Sequence, residues 1–255
     1  MKTNSLFLVY TLLLITNLLY GQKFKLETGL GASQIRWYEN QITANFQARL
    51  SFQKPSSSKL FFIQLNTMGN LSRSLVDKAS YTFIVPDKYT NSLDGDLSAT
   101  YRGGIAELGM QFNRKSNKTK PHIFPVVSLY SLSLARKIST NKTEYVEEEK
   151  TALHGVSAGL GWHFPGKTAL TLEGQLFQPI LSGITLYGRF VGVPYEKTNL
   201  QNDLSYRAKL NVKYNKFGMS LVYELLNYGA VSNNKSKSIE ATQASMLSSY
   251  LIYYF

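Results

Sequence analysis

The sequence predicts an all-β chain, an antiparallel up-and-down β-barrel of about ten strands that crosses a membrane, with eight strands as the alternative count. Three observations carry that expectation. Apolar and polar residues alternate at period two through most of the chain. Short polar links alternate with long ones. Aromatic residues gather beside the short links.

The first element is a targeting segment. Lys2 supplies a positive start, and an apolar run follows from Leu6 to Leu19, broken by Thr11, Thr16 and Asn17. That run has the length of a signal-peptide core and is short of the roughly 20 apolar residues a membrane-spanning helix needs. Residues 1–21 are therefore expected to be a cleaved signal peptide, with Gly21 before the cut, and 22–255 a single exported domain. No later stretch is continuously apolar for the length of a spanning helix.

The strands follow. Ile42, Ala44, Phe46, Ala48, Leu50 and Phe52 alternate with Thr43, Asn45, Gln47, Arg49, Ser51 and Gln53. Successive strand side chains point to opposite faces, so this order puts one apolar face against one polar face. Leu204 to Tyr214 repeats it, with Ser205, Arg207, Lys209, Asn211 and Lys213 on the polar side. Val156, Ala158, Leu160, Trp162 and Phe164 face away from Gly155, Ser157, Gly159, Gly161 and His163. Weaker alternation starts at Phe24, Phe61, Leu97, Leu170, Met219 and Leu247. Ile123 to Arg136 reads as strand without a clear register, and Pro125 there marks a bulge or a strand start.

The links sort by length. Pro55–Ser58, Pro165–Lys167 and Asn215–Phe217 are tight, and Asn113–Pro121 is modest. They alternate with the longer Ser72–Asp96, Ile138–Lys150, Leu181–Asp203 and Gly229–Gln243; Arg36–Asn40 is the one brief link on that side. In an up-and-down barrel alternate links lie on opposite rims, so one rim carries short turns and the other long loops. Phe24, Phe52, Phe61, Phe112, Trp162, Phe164, Tyr214, Tyr253 and Phe255 all fall near the short-turn rim. Rings with an apolar body settle at a membrane–water interface, whereas core aromatics would spread along the strands.

The last strand presents Leu247, Ser249, Leu251, Tyr253 and Phe255 on one face. In this the chain resembles the small outer-membrane β-barrel proteins of Gram-negative bacteria, the OmpA/OmpX-like class, over essentially all of its mature length. The resemblance implies an outer-membrane location, contact with outer-membrane lipid and lipopolysaccharide, and recognition of the strand ending at Phe255 by the barrel-assembly machinery. It does not narrow the function.

If the apolar faces meet lipid, Arg49, Glu107, Glu173, Arg207, Lys209 and Glu224 point into the lumen, joined by Asn45, Gln47, Gln64, Asn66, Gln111, Gln175 and Asn211. An Arg or Lys facing lipid at mid-depth would cost roughly 2–4 kcal/mol, which favours the inward placement. Pairing of Arg49, Arg207 and Lys209 with Glu107, Glu173 and Glu224 is expected. A barrel of this size encloses a packed interior, because open channels need about 16 strands. The expected protein is then non-enzymatic, with a polar, plugged or narrow lumen and long extracellular loops, serving envelope integrity, binding or limited solute passage.

The competing expectation is an enzyme at the extracellular rim, a lipid A or phospholipid acyl hydrolase or a protease. Its residues are hard to find. Three positions separate His154 and Ser157, which puts them on opposite faces. His163 shares a face with Ser157 but lies roughly 20 Å along the strand. His122 falls at a turn. No predicted strand carries an Asp; Asp77, Asp87, Asp94, Asp96 and Asp203 sit in the long links. Asp94-Gly95-Asp96 could hold a hard cation but reads as a solvated turn, and Glu147–Glu149 reads as a solubilising loop. With no Cys and three His, no metal and no cofactor are expected.

The net charge of +12 comes from 28 Lys and Arg against 16 Asp and Glu. The basic residues are scattered, with no stripe and no helix to enter a groove, so nucleic acid is not an expected partner. Arg36, Lys78, Lys88, Arg102, Lys137, Lys142, Arg189, Lys235 and Lys237 would instead meet lipopolysaccharide phosphates at the loop rim.

Overall fold

In the computed structural model the described residues are 23–37, 39–54, 57–71, 73–76, 96–112, 120–140, 145–188, 194–199, 203–228 and 242–255. The expected signal peptide lies outside them, as do Asp77, Asp87, Asp94, Lys78, Lys88, Lys142, Arg189, Lys235 and Lys237.

The described residues form twelve strands: β1 (Lys23–Arg36), β2 (Asn40–Gln53), β3 (Lys59–Asn70), β4 (Ser74–Val76), β5 (Leu97–Phe112), β6 (His122–Thr140), β7 (Tyr145–Phe164), β8 (Thr168–Gly188), β9 (Pro194–Asn199), β10 (Ser205–Tyr214), β11 (Phe217–Tyr228) and β12 (Thr242–Tyr254). They form one antiparallel sheet in the order β10-β11-β12-β1-β2-β3-β5-β6-β7-β8, and β8 pairs back onto β10. The short β4 and β9 lie outside this ring, on the far ends of β5 and β8, which leaves ten strands in a closed wall. Closure removes the free edges that an open sheet would expose in lipid. β1 seals against β12 over ten residue pairs from Glu27↔Tyr254 to Arg36↔Ser245.

The tight turns hold the register. Tyr214 and Phe217 pair directly, so Asn215 and Lys216 alone turn the chain, with Asn215 at φ 53°. Pro125 sits inside β6 without breaking its register to β7, where it faces Leu160. The bulge comes instead in β8. Gly155 pairs with Pro179 but His154 pairs with Leu181, which leaves Ile180 as an extra residue beside a proline that cannot donate to the ladder. Both Ile180 and Leu181 consequently face outward.

Two of the expected long links are mostly strand. β6 and β7 run to Thr140 and from Tyr145, and β8 continues to Gly188. Within Glu147–Glu149 the strand alternation holds: Glu147 and Glu149 are buried, while Glu148 turns out to Arg102 at 2.7 Å and Lys150 at 3.4 Å. The run is a wall segment, not a loop.

The reason is a reversal of polarity along the strands. From the short turns upward, outward positions are apolar (Leu30, Leu50, Leu65, Leu108, Leu129, Leu160, Leu172, Leu251) and inward ones polar (Asn45, Gln47, Gln64, Glu107, Ser157, Glu173). Nearer the loop rim the order inverts. Leu132, Leu134, Ile138 and Leu153 point in and are buried, while Ser133, Lys137, Lys150 and Arg102 occupy outward positions. The lower part has the surface of a barrel in lipid; the upper collar has that of a barrel in water. Polar collar composition therefore looks like loop in the sequence.

Candidate functional site

The lumen holds three layers. At mid-height Arg207, on β10, donates from Nε to Glu224 Oε1 at 2.8 Å and from Nη1 to Glu107 Oε2 at 2.9 Å and Gln175 Oε1 at 3.2 Å. Glu224 is its neighbour by hairpin register, whereas Glu107 arrives from β5 across the interior. Ser128 Oγ donates to the other Glu107 oxygen at 2.6 Å and also meets Ser157 Oγ at 2.6 Å. Glu107 is thus held by a guanidinium and a hydroxyl, the hydrogen bonding a buried carboxylate requires. The Arg207 guanidinium also lies 4.5 Å from the Phe177 ring centre and 5.2 Å from that of Tyr130.

The other three predicted lumen residues line the same chamber. Glu173 accepts from Gln175 Nε2 at 2.6 Å. Lys209 faces Glu173 in the β10–β8 register. Arg49 lies over the Phe62 ring, 4.1 Å from its centre. Arg49, Gln64, Asn66, Glu107, Glu173, Arg207 and Lys209 enclose a space of only about 10 Å³. That is room for at most one water.

Above this layer the lumen is apolar. Ile35, Met68, Tyr101, Ile105, Leu132, Leu134, Leu153, Phe177, Ile184, Leu226 and Met246 form one buried cluster, with Trp37 against it. Glu39 closes its top: it accepts Arg136 Nε at 3.0 Å, a second bond from Arg136 Nη2, and the Tyr101 hydroxyl. Neither the apolar plug nor this bidentate clasp is visible at period two, because the lower part of β6 is apolar on both faces and gives no register to carry up into the collar.

The predicted aromatics lie at the short-turn rim, and seven of the nine touch another of the set. Phe52 stacks on Phe61 at 5.5 Å and lies 6.5 Å from Phe24. Trp162 and Phe164 are 4.7 Å apart, as are Tyr253 and Phe255. Tyr214 carries Lys167 over its ring at 5.8 Å, and Phe112 pairs with Lys59 at the foot of β5.

Each of the three histidines has a distinct setting. His122 opens β6 rather than lying in a turn, and its ring is 5.2 Å from that of His163. His163 meets Thr171 Oγ1 at 2.9 Å, and Ser157 is buried against Ser128, so these two do not combine. His154 faces outward, and its Nδ1 lies 2.9 Å from Ser131 Oγ, its direct cross-strand partner. Sequence reading paired His154 only with residues of its own strand and missed Ser131, since that match needs the β6 register. Among the described residues, no group of three His, Cys, Asp or Glu could hold a metal ion.

No protein-family model and no curated protein sequence matches the chain. Among solved structures it is similar to the outer membrane protease OmpT of Escherichia coli, at 9% identity, TM-score 0.47, over 92% of this chain and 94% of that one. It is also similar to a major outer membrane protein of Thermus thermophilus, at 9% identity and TM-score 0.43 over 92% and 100%. The translocator domain of the autotransporter NalP from Neisseria meningitidis matches at 10% identity and TM-score 0.42 over 98% and 95%. What makes the chain a transmembrane barrel is its own closed pairing and apolar outer wall.

Proposed function

We propose that this is a plugged outer-membrane barrel whose work is done at its outer wall and extracellular rim, not by conduction. The observation that carries the reading is the Arg207 cluster. It bridges β10, β11 and β5 across the lumen and leaves about 10 Å³ free. A hydrated ion would have to break several charge-assisted bonds at once to pass. The apolar cluster and the Glu39–Arg136 clasp put a second barrier above the first. At the rim, the exposed Arg102, with Arg36 and Lys137 also in outward positions, would meet lipopolysaccharide phosphates and steady the barrel in an anionic leaflet. Envelope integrity and binding at the rim are the roles that fit this design.

Single-channel recording of the purified barrel in planar bilayers tests it. The expected trace is silent under salt gradients of either sign. A steady, ion-selective conductance would overturn the plug. Fractionation of expressing cells tests the location, with the chain expected in the detergent-extracted outer-membrane fraction.

A further inference from the structure

Ser131 and His154 lie where the outer wall changes character. One row below them, Leu129, Val156 and Leu108 are exposed to lipid; one row above, Ser133 and the collar begin. This is the top of the apolar belt, the depth at which the ester bonds of a bilayer lipid lie between acyl chain and headgroup. An ionisable side chain facing lipid is costly and marks a functional position by default. Here the imidazole Nδ1 stands 2.9 Å from a hydroxyl held opposite it on a rigid neighbouring strand.

Beside the pair runs an apolar groove of about 460 Å³, lined by Ile63, Ala106, Leu108, Leu129, Ile180 and Leu181. The small Ala106 opens one side, and the β8 bulge, which turns both Ile180 and Leu181 outward, walls the other. The groove is shallow and open along the wall, and its lining is almost entirely apolar. At this depth, on a wall that faces lipid, its occupant is an acyl chain of a surrounding lipid. The polar pair then sits at the end of that chain, where its ester is.

From this juxtaposition we infer that Ser131 and His154 are the catalytic residues of an acyl-ester hydrolase acting on outer-leaflet lipid. Ser131 Oγ attacks the ester carbonyl carbon while its proton passes to the His154 imidazole. The acyl C–O bond breaks, the leaving alkoxide takes that proton, and the acyl group remains on Ser131. Water, deprotonated by His154, then attacks the acyl-serine and releases a fatty acid, returning the proton to Ser131. The inference rests on the outer wall and is independent of the lumen plug.

The test uses the full barrel refolded in detergent. A fluorophosphonate probe is applied, and the modified peptide is mapped by mass spectrometry. In parallel, fatty-acid release is measured from mixed micelles of phosphatidylethanolamine and, separately, of lipid A. Labelling at Ser131 and release from one substrate are expected, the substrate that reacts naming the lipid. Ser131→Ala and His154→Gln should each lower release at least 100-fold while keeping the heat-shifted gel migration of a folded barrel; Ser133→Ala should leave it unchanged. If a variant fails to fold, the mapped site on the parent decides. Absence of both labelling and release, labelling elsewhere, or release that a folded Ser131→Ala retains would overturn the inference.

Discussion

Arg207 and Glu107 are 100 positions apart in sequence yet meet at 2.9 Å inside the barrel, with side chains only 5% and 3% exposed. The pair, with Glu224 on the other side of the same guanidinium, ties β5 to the β10–β11 hairpin. Removing one member of a buried pair strands the remaining charge. Arg207→Met is therefore expected to destabilise the barrel by about 3–5 kcal/mol. The double change Arg207→Met, Glu107→Gln should recover part of that loss, because the buried set then balances, with Arg49 and Lys209 against Glu173 and Glu224. Urea unfolding in lipid vesicles measures both. A single variant as stable as the parent would show the cluster to be energetically idle.

How far the sequence led can be judged on these same residues. Arg207 opposite Glu224 follows from the two-residue turn at Asn215–Lys216, so that contact was within reach of the pattern. Glu107 was not, since its place depends on how far the wall curves before β5 faces β10. The inward direction of Arg49, Glu173 and Lys209 is legible because their neighbours are apolar. β6 defeats the same method: Phe124, Val126, Leu132 and Leu134 point in while Ile123, Val127 and Leu129 point out, all of them apolar. Period two has no contrast to read there. Losing that register hid both the apolar upper lumen and the Ser131–His154 match.

The reversal of polarity can be read with the chain's own fluorophores, since it has only two tryptophans. Trp162 is 47% exposed on the lower wall, whereas Trp37 packs against the upper lumen cluster, 6.2 Å from Tyr101. In vesicles of brominated lipid, the Trp37→Phe variant, left with Trp162, should be strongly quenched. The Trp162→Phe variant, left with Trp37, should be nearly unaffected. Equal quenching of the two would contradict an upper lumen shut off from lipid.

Two glycines should respond oppositely to the same change. At Gly31 an added Cβ would fall against the Ser249 carbonyl, in the backbone of β12, where β1 seals the barrel. Backbone cannot swing aside as a side chain can, so Gly31→Ala should open the seam and cost about 1–3 kcal/mol. Gly174 has nothing within 4 Å of the same position. Gly174→Ala should change stability by less than about 0.5 kcal/mol. The temperature at which folded migration is lost in SDS gels ranks the two against the parent.

The turn at Asn215 offers the last test, and it is conformational. With φ at 53°, Asn215 is the only non-glycine residue of positive φ among those described. Asn tolerates this region better than most residues, because its short side chain can hydrogen-bond locally. The geometry also matters beyond the hairpin: the Lys216 carbonyl accepts the Tyr254 amide at 2.9 Å, so the turn fixes the foot of β12. Asn215→Gly should therefore be tolerated within about 0.5 kcal/mol, since glycine reaches positive φ without a Cβ clash. A β-branched residue meets that clash in full, and Asn215→Val should cost about 1–2 kcal/mol. Because the strain falls on the pairing of both β10 with β11 and β11 with β12, refolding into detergent should slow as well as stability fall. Tolerance of valine with unchanged refolding would mean that the turn adopts another conformation.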